Sequence, residues 1–270
     1  MEKTITRRKY EFLKSFESLT DSEQKEVDHY EANAITVFEK PKPAETKAKP
    51  KEKIVITKKL IWKNFKLSYE LMNGKPFQET PDTLKNIAPV ILYFSHDPDF
   101  FKSDRLLTRI GNTDLKPNFS KGLLIFGNYG NGKTSIMMAM HKFMSHYRLR
   151  GWFKACKSHE MVTEFEGLET PSDRTEFFKK YGKHPLYLDD VKKEKIASNF
   201  GKVDVIREII EKRYDNNSVT HITCNQREGD ATVDIEDTLA EFGERYGGHI
   251  YDRLFEMFNI IEFKGKSFRK

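Results

Sequence analysis

The stretch Gly127-Asn128-Tyr129-Gly130-Asn131-Gly132-Lys133-Thr134 follows a short apolar run at 123–126 and leads into a segment with helical periodicity. It satisfies the pattern G-x-x-x-x-G-K-[ST] in the strand-to-helix setting that gives the pattern its meaning. The glycines let the backbone curl until successive N–H groups converge, and the helix N-terminus behind them adds its positive dipole end. Such a cradle suits phosphate oxygens. Lys133 supplies a mobile positive charge for β- and γ-phosphates, and the Thr134 hydroxyl is a hard oxygen ligand for Mg²⁺. The candidate ATP-binding residues are therefore Gly127, Asn128, Tyr129, Gly130, Asn131, Gly132, Lys133 and Thr134, with Ser135 beside them on the first helical turn.

Outward from this loop, short apolar runs alternate with helical stretches from Lys121 onward, the signature of a parallel sheet wrapped by helices. Strands are expected at 123–126, 152–156, 186–189, 219–224 and 260–263. The third ends in Asp189-Asp190, placing two carboxylates at the C-terminal edge of a buried strand, where open α/β sheets bind ligands. Behind a phosphate loop this is a Walker B pattern. Asp189 would hold Mg²⁺, and Asp190 would orient or deprotonate the water that attacks the γ-phosphate. The fourth strand runs into Asn225, whose neutral amide could position that water. The expected fold is a five-stranded P-loop α/β domain over 121–270, with too few residues after the last strand for a helical lid.

The 270 residues suffice for one such domain and a smaller piece. Residues 1–38 read as two short helices, one carrying Phe12, Phe16 and Leu19, the other carrying Val27, Tyr30 and Ala34 behind an N-cap at Thr20-Asp21-Ser22. Residues 39–53 are almost entirely Lys, Glu, Pro and Ala, which bury no core and read as a linker. In the extension 54–120, the part before Gly74 has no clear pattern, whereas Pro81-Asp82 opens a helix expected over 82–97. The net charge is +6, but seven acids against two lysines between Glu11 and Ile35 leave a local −5. The remainder carries +11. This split suggests a protein partner at the front and any phosphate backbone elsewhere, or simply a solvated helix.

No apolar run approaches the roughly 20 residues of a membrane span, and the charged start offers no secretory signal, so a cytoplasmic location is expected. Cys156 and Cys224 sit far apart in apolar runs and read as small core residues. Basic residues cluster at Lys142, Arg148, Arg150, Lys154 and Lys157, interleaved with Tyr147, Trp152 and Phe153, and again at Lys192, Lys193 and Lys195. Charge interleaved with aromatics suits a single-stranded DNA path; core aromatics under solvated helix faces give the same pattern.

With these motifs in place, 121–270 resembles the AAA+ ATPases of the DnaC/IstB group, which are loaders of the replicative helicase and helpers of transposition. The resemblance rests on Gly127 to Thr134, Leu188-Asp189-Asp190, Arg213-Tyr214, Thr223-Cys224-Asn225 and the block from Tyr246 through Tyr251-Asp252-Arg253-Leu254 to Arg269. It implies that Arg253 is an arginine finger acting on nucleotide held by a neighbouring subunit, and that Arg269 is a second sensor beside the bound nucleotide. Gly247-Gly248-His249 stands where the family has Gly-Glu-Arg, and Gly243-Glu244-Arg245 falls out of register with it. The implied protein is a Mg²⁺-dependent ATPase that self-associates with nucleotide between subunits. It would bind a hexameric replicative helicase through its N-terminal segment, and single-stranded DNA. The alternatives are a transposition helper assembling on duplex DNA and a nucleotide-dependent scaffold that hydrolyses little.

Overall fold

The structure is a computed structural model that describes residues 13–14, 19–33, 56–226, 235–265 and 267. The expected linker 39–53, most of the expected first helix and Arg269 lie outside them. The chain forms two compact units, Met1–Thr57 and Lys58–Lys270. In the first, helix α1 (Asp21–Asn33) starts where the sequence placed a cap. The Thr20 N–H donates to Glu23 Oε2 at 3.2 Å, and the Thr20 hydroxyl accepts from the Glu23 N–H at 3.4 Å, a reciprocal capping box.

The second unit opens with helices α2 (Lys58–Asn73) and α3 (Pro81–Phe94). α2 buries Ile61, Phe65 and Ser68 at helical spacing. α3 is capped by Thr80 with Pro81 in its first turn, and it stops short of the expected end because His96 takes φ +51° before a 3-10 turn at Pro98–Lys102. A small antiparallel ribbon, β1 (Arg109–Ile110) and β2 (Thr113–Asp114), follows. Then come β3 (Gly122–Gly127), α4 (Lys133–His146), β4 (Lys154–Lys157), α5 (Ser158–Glu166), α6 (Pro171–Gly182) and β5 (Leu186–Val191). The chain continues through α7 (Val205–Asp215), β6 (Thr220–Asn225), α8 (Ile235–Tyr246), α9 (Gly248–Met257) and β7 (Phe258–Phe263).

The five long strands form one parallel sheet in the order β4-β5-β6-β3-β7, the P-loop fold of AAA+ type. β3 and β5 are not neighbours. β6 lies between them, with Asn225 opposite Gly127 and Cys224 opposite Val191. The order therefore brings the end of the phosphate-loop strand, the acidic pair and Asn225 to one edge. Leu124, Phe126, Leu186, Leu188, Ile222, Cys224 and Ile260 share a core with Met161, Phe165, Ile206, Ile209, Ile210, Leu239 and Phe242 from the helices. Elsewhere in the core the Phe153 ring lies 5.5 Å from Phe94 and 5.0 Å from His221. Each such ring removes roughly 150–250 Å² from water, making these aromatics large contributors to burial.

All five expected strands are present, with ends displaced by one or two residues. β4 begins at Lys154 instead of Trp152, because Gly151 takes φ +85° and the Trp152 N–H closes a turn on the Leu149 carbonyl. Cys224 is buried as expected, but Cys156 is only half-buried, because β4 is an edge strand with little cover.

Candidate functional site

The phosphate loop links the end of β3 to the start of α4, and its geometry follows from two glycines. Gly132 sits at φ +91° as the N-cap of α4, a left-handed conformation that a side chain disfavours, and no side chain caps the helix amides. Gly127 approaches the Phe263 carbonyl so closely that a Cβ there would collide with it. Asn131, almost fully buried, ties the loop to the same carbonyl by donating from Nδ2 at 2.8 Å.

Lys133 is buried within the loop. Its ammonium donates to the carbonyls of Gly127 at 2.8 Å and Asn128 at 2.9 Å, and to Oδ1 of Asn131 and of Asn225, each at 3.2 Å. Burial lowers its pKa from 10.5 to about 8, with nearby carboxylates Asp189 and Asp190 acting the other way. Phosphates favour the charged amine, so above pH 8 nucleotide binding must take up a proton. The expected result is an affinity for Mg-ATP that falls by about tenfold per pH unit above pH 8 and is nearly flat below it. Calorimetric titration between about pH 7 and pH 9.5 checks this; a flat profile contradicts it.

The acidic pair does not follow the alternation of a regular strand. Asp190 adopts φ +54°, and the β5–β6 register breaks between Leu188 and Val191. The turn lets consecutive carboxylates serve one site; in an unbroken strand they would face opposite sides of the sheet. Asp189 Oδ1 accepts from the hydroxyls of Thr134 at 2.8 Å, Tyr187 at 2.6 Å and Thr223 at 2.6 Å. Asp190 Oδ1 accepts from Asn225 Nδ2 at 2.6 Å, while the Asp190 N–H donates to Thr223 Oγ1 at 3.2 Å and its carbonyl accepts from Ser158 Oγ at 2.9 Å. Asn225 thus bridges Lys133 and Asp190. Asp189 and Thr134 present hard oxygens side by side, a donor set that fits Mg²⁺.

These groups open on a cleft of about 330 Å³ lined by Tyr129, Gly130, Asn131, Gly132, Lys133, Thr134, Ser135, Asp190 and Asn225. Three further lining residues escaped sequence reasoning: Tyr69 and Asn73 of α2, and Lys75 just after it. α2 packs on α4, which carries these groups to the loop. The sequence before Gly74 shows no clear pattern, so nothing there announced this helix or its packing partner. Lys193 also lines the cleft and lies 4.1 Å from the centre of the Tyr129 ring.

Arg253 is not brought to this cleft. It lies on α9 over the ring of Tyr214, 4.3 Å from the centroid, and the Tyr214 hydroxyl donates to Glu256. Tyr214 lines a separate cleft with Lys121, Val219 and Met257, residues that immediately precede β3, β6 and β7. That is the opposite edge of the sheet, on the order of 20 Å away along a six-residue strand. Of the basic clusters, Lys157, Lys192 and Lys195 pair with Glu160, Glu241 and Glu166, and Phe153 is fully buried in the core. Core packing accounts for that ring.

The sequence matches no protein-family model and no curated protein. In fold the chain is similar to the DnaC helicase loader, 21% identical over 76% of this chain and 99% of that one, with a TM-score of 0.47. It is also similar to domain III of the Thermotoga maritima replication initiation protein DnaA, 15% identical over 73% and 67%, TM-score 0.43. AMPPCP-bound DnaA from Aquifex aeolicus is 16% identical over 53% and 40%, TM-score 0.37. At these values the chemistry of this chain rests on its own residues. No helix among the described residues is long and apolar enough to cross a membrane.

Proposed function

We propose that the chain is a Mg²⁺-dependent ATPase that loads a replicative helicase. The observation that carries the ATPase reading is the convergence of Lys133, Thr134, Asp190 and Asn225 on one cleft at the C-terminal edge of the sheet, with the buried Asp189 carboxylate hydrogen-bonded to Thr134 directly behind its wall. Lys133 and the loop amides would hold the phosphates. Thr134 and Asp189 would hold Mg²⁺, which when bound neutralises charge on the phosphates. Asp190, oriented by Asn225, would accept the proton of the attacking water. The side chain of Asp is one methylene shorter than that of Glu, so turnover separates this reading from a scaffold that binds ATP without hydrolysing it.

The finger role of Arg253 is part of the same proposal. Its distance from the cleft of its own chain supports action on a neighbouring subunit, with nucleotide between subunits. Arg253→Ala should then leave the affinity of dilute protein for Mg-ATP within about twofold while lowering turnover at high protein concentration at least tenfold. Rates measured across a protein dilution series check this; turnover equal to wild type at every concentration would refute the interface role.

The loader assignment is supported by the resemblance of the motif set and by an acidic helix in a compact unit of its own, Met1–Thr57, a suitable grip for another protein. Single-stranded DNA is the proposed nucleic-acid partner. Native mass spectrometry with the host replicative helicase tests it. A stoichiometric complex lost on deleting residues 1–40 is expected; no complex, with nucleotide-driven assembly on duplex DNA, would favour a transposition helper.

A further inference from the structure

Two residues bracketing Val191 at the end of β5 hold left-handed backbone conformations, Asp190 at φ +54° and Lys192 at φ +82°. Non-glycine residues adopt such angles at a cost, and the angles persist only where the surroundings enforce them. The Asp190 side is held by Ser158 at the start of α5 and Thr223 of β6. The Lys192 side is held by a different element. Its backbone N–H donates to the hydroxyl of Tyr246 at 2.9 Å, and that hydroxyl donates to Glu194 Oε1 at 2.6 Å. Arg245 donates to the Glu194 carbonyl at 3.2 Å and to its Oε1 at 3.3 Å, and is anchored in turn by Asp204. The Lys192 ammonium pairs with Glu241. Glu241, Arg245 and Tyr246 all belong to α8.

Tyr246 is 1% exposed and Glu194 6%, and Glu194 Oε2 has no hydrogen-bond partner among the described residues. A buried carboxylate with one oxygen unpaired costs stability, so burial alone gives no reason for Glu194 to be here. Its two contacts do: it orients the Tyr246 hydroxyl toward the Lys192 N–H and it draws Arg245 onto the turn.

We infer that Tyr246 and Glu194 are positioning residues for Asp190, a clamp between α8 and the segment after β5 that keeps the turn in the left-handed form. The inference rests on the ATPase reading above. Without the clamp the contacts of Asp190 with Ser158 and Thr223 are left to hold the turn from one side, and it loosens toward regular strand geometry, in which Asp190 swings off the face it shares with Asp189. Asp189 is held independently, by Thr134, Tyr187 and Thr223, none of which touches the clamp. Loss of the clamp therefore separates binding from turnover: nucleotide and Mg²⁺ stay, and the alignment of Asp190 goes.

The test uses the full chain with Tyr246→Phe, which keeps the buried ring and removes only the hydroxyl, and Glu194→Gln. Both should bind Mg-ATP within about twofold of wild type and lower the single-turnover hydrolysis rate about tenfold, the scale of one lost hydrogen bond. Amide exchange at Lys192 should accelerate by a similar factor while the amides of α4 stay protected, a local change that general destabilisation does not produce. Should Tyr246→Phe fold poorly, the Glu194→Gln rate and exchange data decide. Unchanged hydrolysis in both variants of an active protein overturns the clamp alone. A wild type that binds Mg-ATP without hydrolysing it overturns the ATPase reading and the clamp with it.

Discussion

Lys133→Ala should weaken Mg-ATP binding at least a hundredfold and remove detectable turnover. The ammonium is buried in a shell of oxygens, two loop carbonyls and the side chains of Asn131 and Asn225, with its charged form already disfavoured by burial. A phosphate arriving at the loop finds a partly desolvated cation that it can pair with at little further desolvation. Charge-assisted contacts of this kind are about twice as strong as neutral ones. Losing it costs more than about 2.7 kcal/mol, which is the hundredfold. The alanine also leaves the Asn128 carbonyl and the Asn131 and Asn225 side-chain oxygens without this donor, so some loss of thermal stability should accompany it. Calorimetry reads the binding, and phosphate release reads the turnover. Affinity within tenfold of wild type would mean that the loop holds phosphate by its amides alone.

Arg213→Ala should cost at least about 4 kcal/mol of stability, a melting-temperature drop of roughly 10 °C for a unit of this size. The Arg213 guanidinium is fully buried, and among the described residues it pairs with no carboxylate. It donates to the carbonyls of Tyr181, His184 and Val219 at 2.6, 2.7 and 2.6 Å, and to Thr220 Oγ1 at 2.8 Å. These acceptors lie on the last turn of α6, in the turn before β5 and at the start of β6, so one side chain ties two central strands together at the edge opposite the phosphate loop. Burial lowers its pKa to about 10, which leaves it charged at neutral pH. Truncation removes this donor from the buried Tyr181 carbonyl and Thr220 Oγ1 and from the part-buried His184 and Val219 carbonyls, and opens a cavity besides. Arg213→Lys should rescue little, because a single ammonium does not match a planar fork of donors. Thermal unfolding measures both variants, and a melting point within about 2 °C of wild type for the alanine would show the tie to be dispensable.

The parts of this molecule legible in its sequence are those set by local chemistry. The loop Gly127 to Thr134 is a contiguous pattern, the apolar runs that became β3 to β7 are contiguous too, and Asp189-Asp190 and Asn225 each end such a run. Sheet order then brings them together. Less legible was anything decided between distant segments. The left-handed turn at Asp190 depends on Ser158 and Thr223 from flanking segments, and nothing in the order Leu188-Asp189-Asp190-Val191 announces it. Tyr69, Asn73 and Lys75 reach the cleft because α2 packs on α4, a pairing that periodicity alone does not specify. Phe153 sits in a run of basic residues yet stacks on Phe94, whose segment lies far upstream. Arg245 is likewise engaged across the sequence, by Glu194 and Asp204, pairings that its local sequence does not announce.

The most direct test of the central claim is phosphate release from Mg-ATP by wild type and Asp190→Asn, compared at concentrations where both are saturated with nucleotide. The structure predicts turnover by wild type and a loss of about a hundredfold or more in the variant, with binding retained, because the amide keeps the shape of the side chain but cannot accept the proton of the attacking water. Equal turnover in the two proteins, or none in wild type, would contradict the assignment of this cleft as a hydrolytic site.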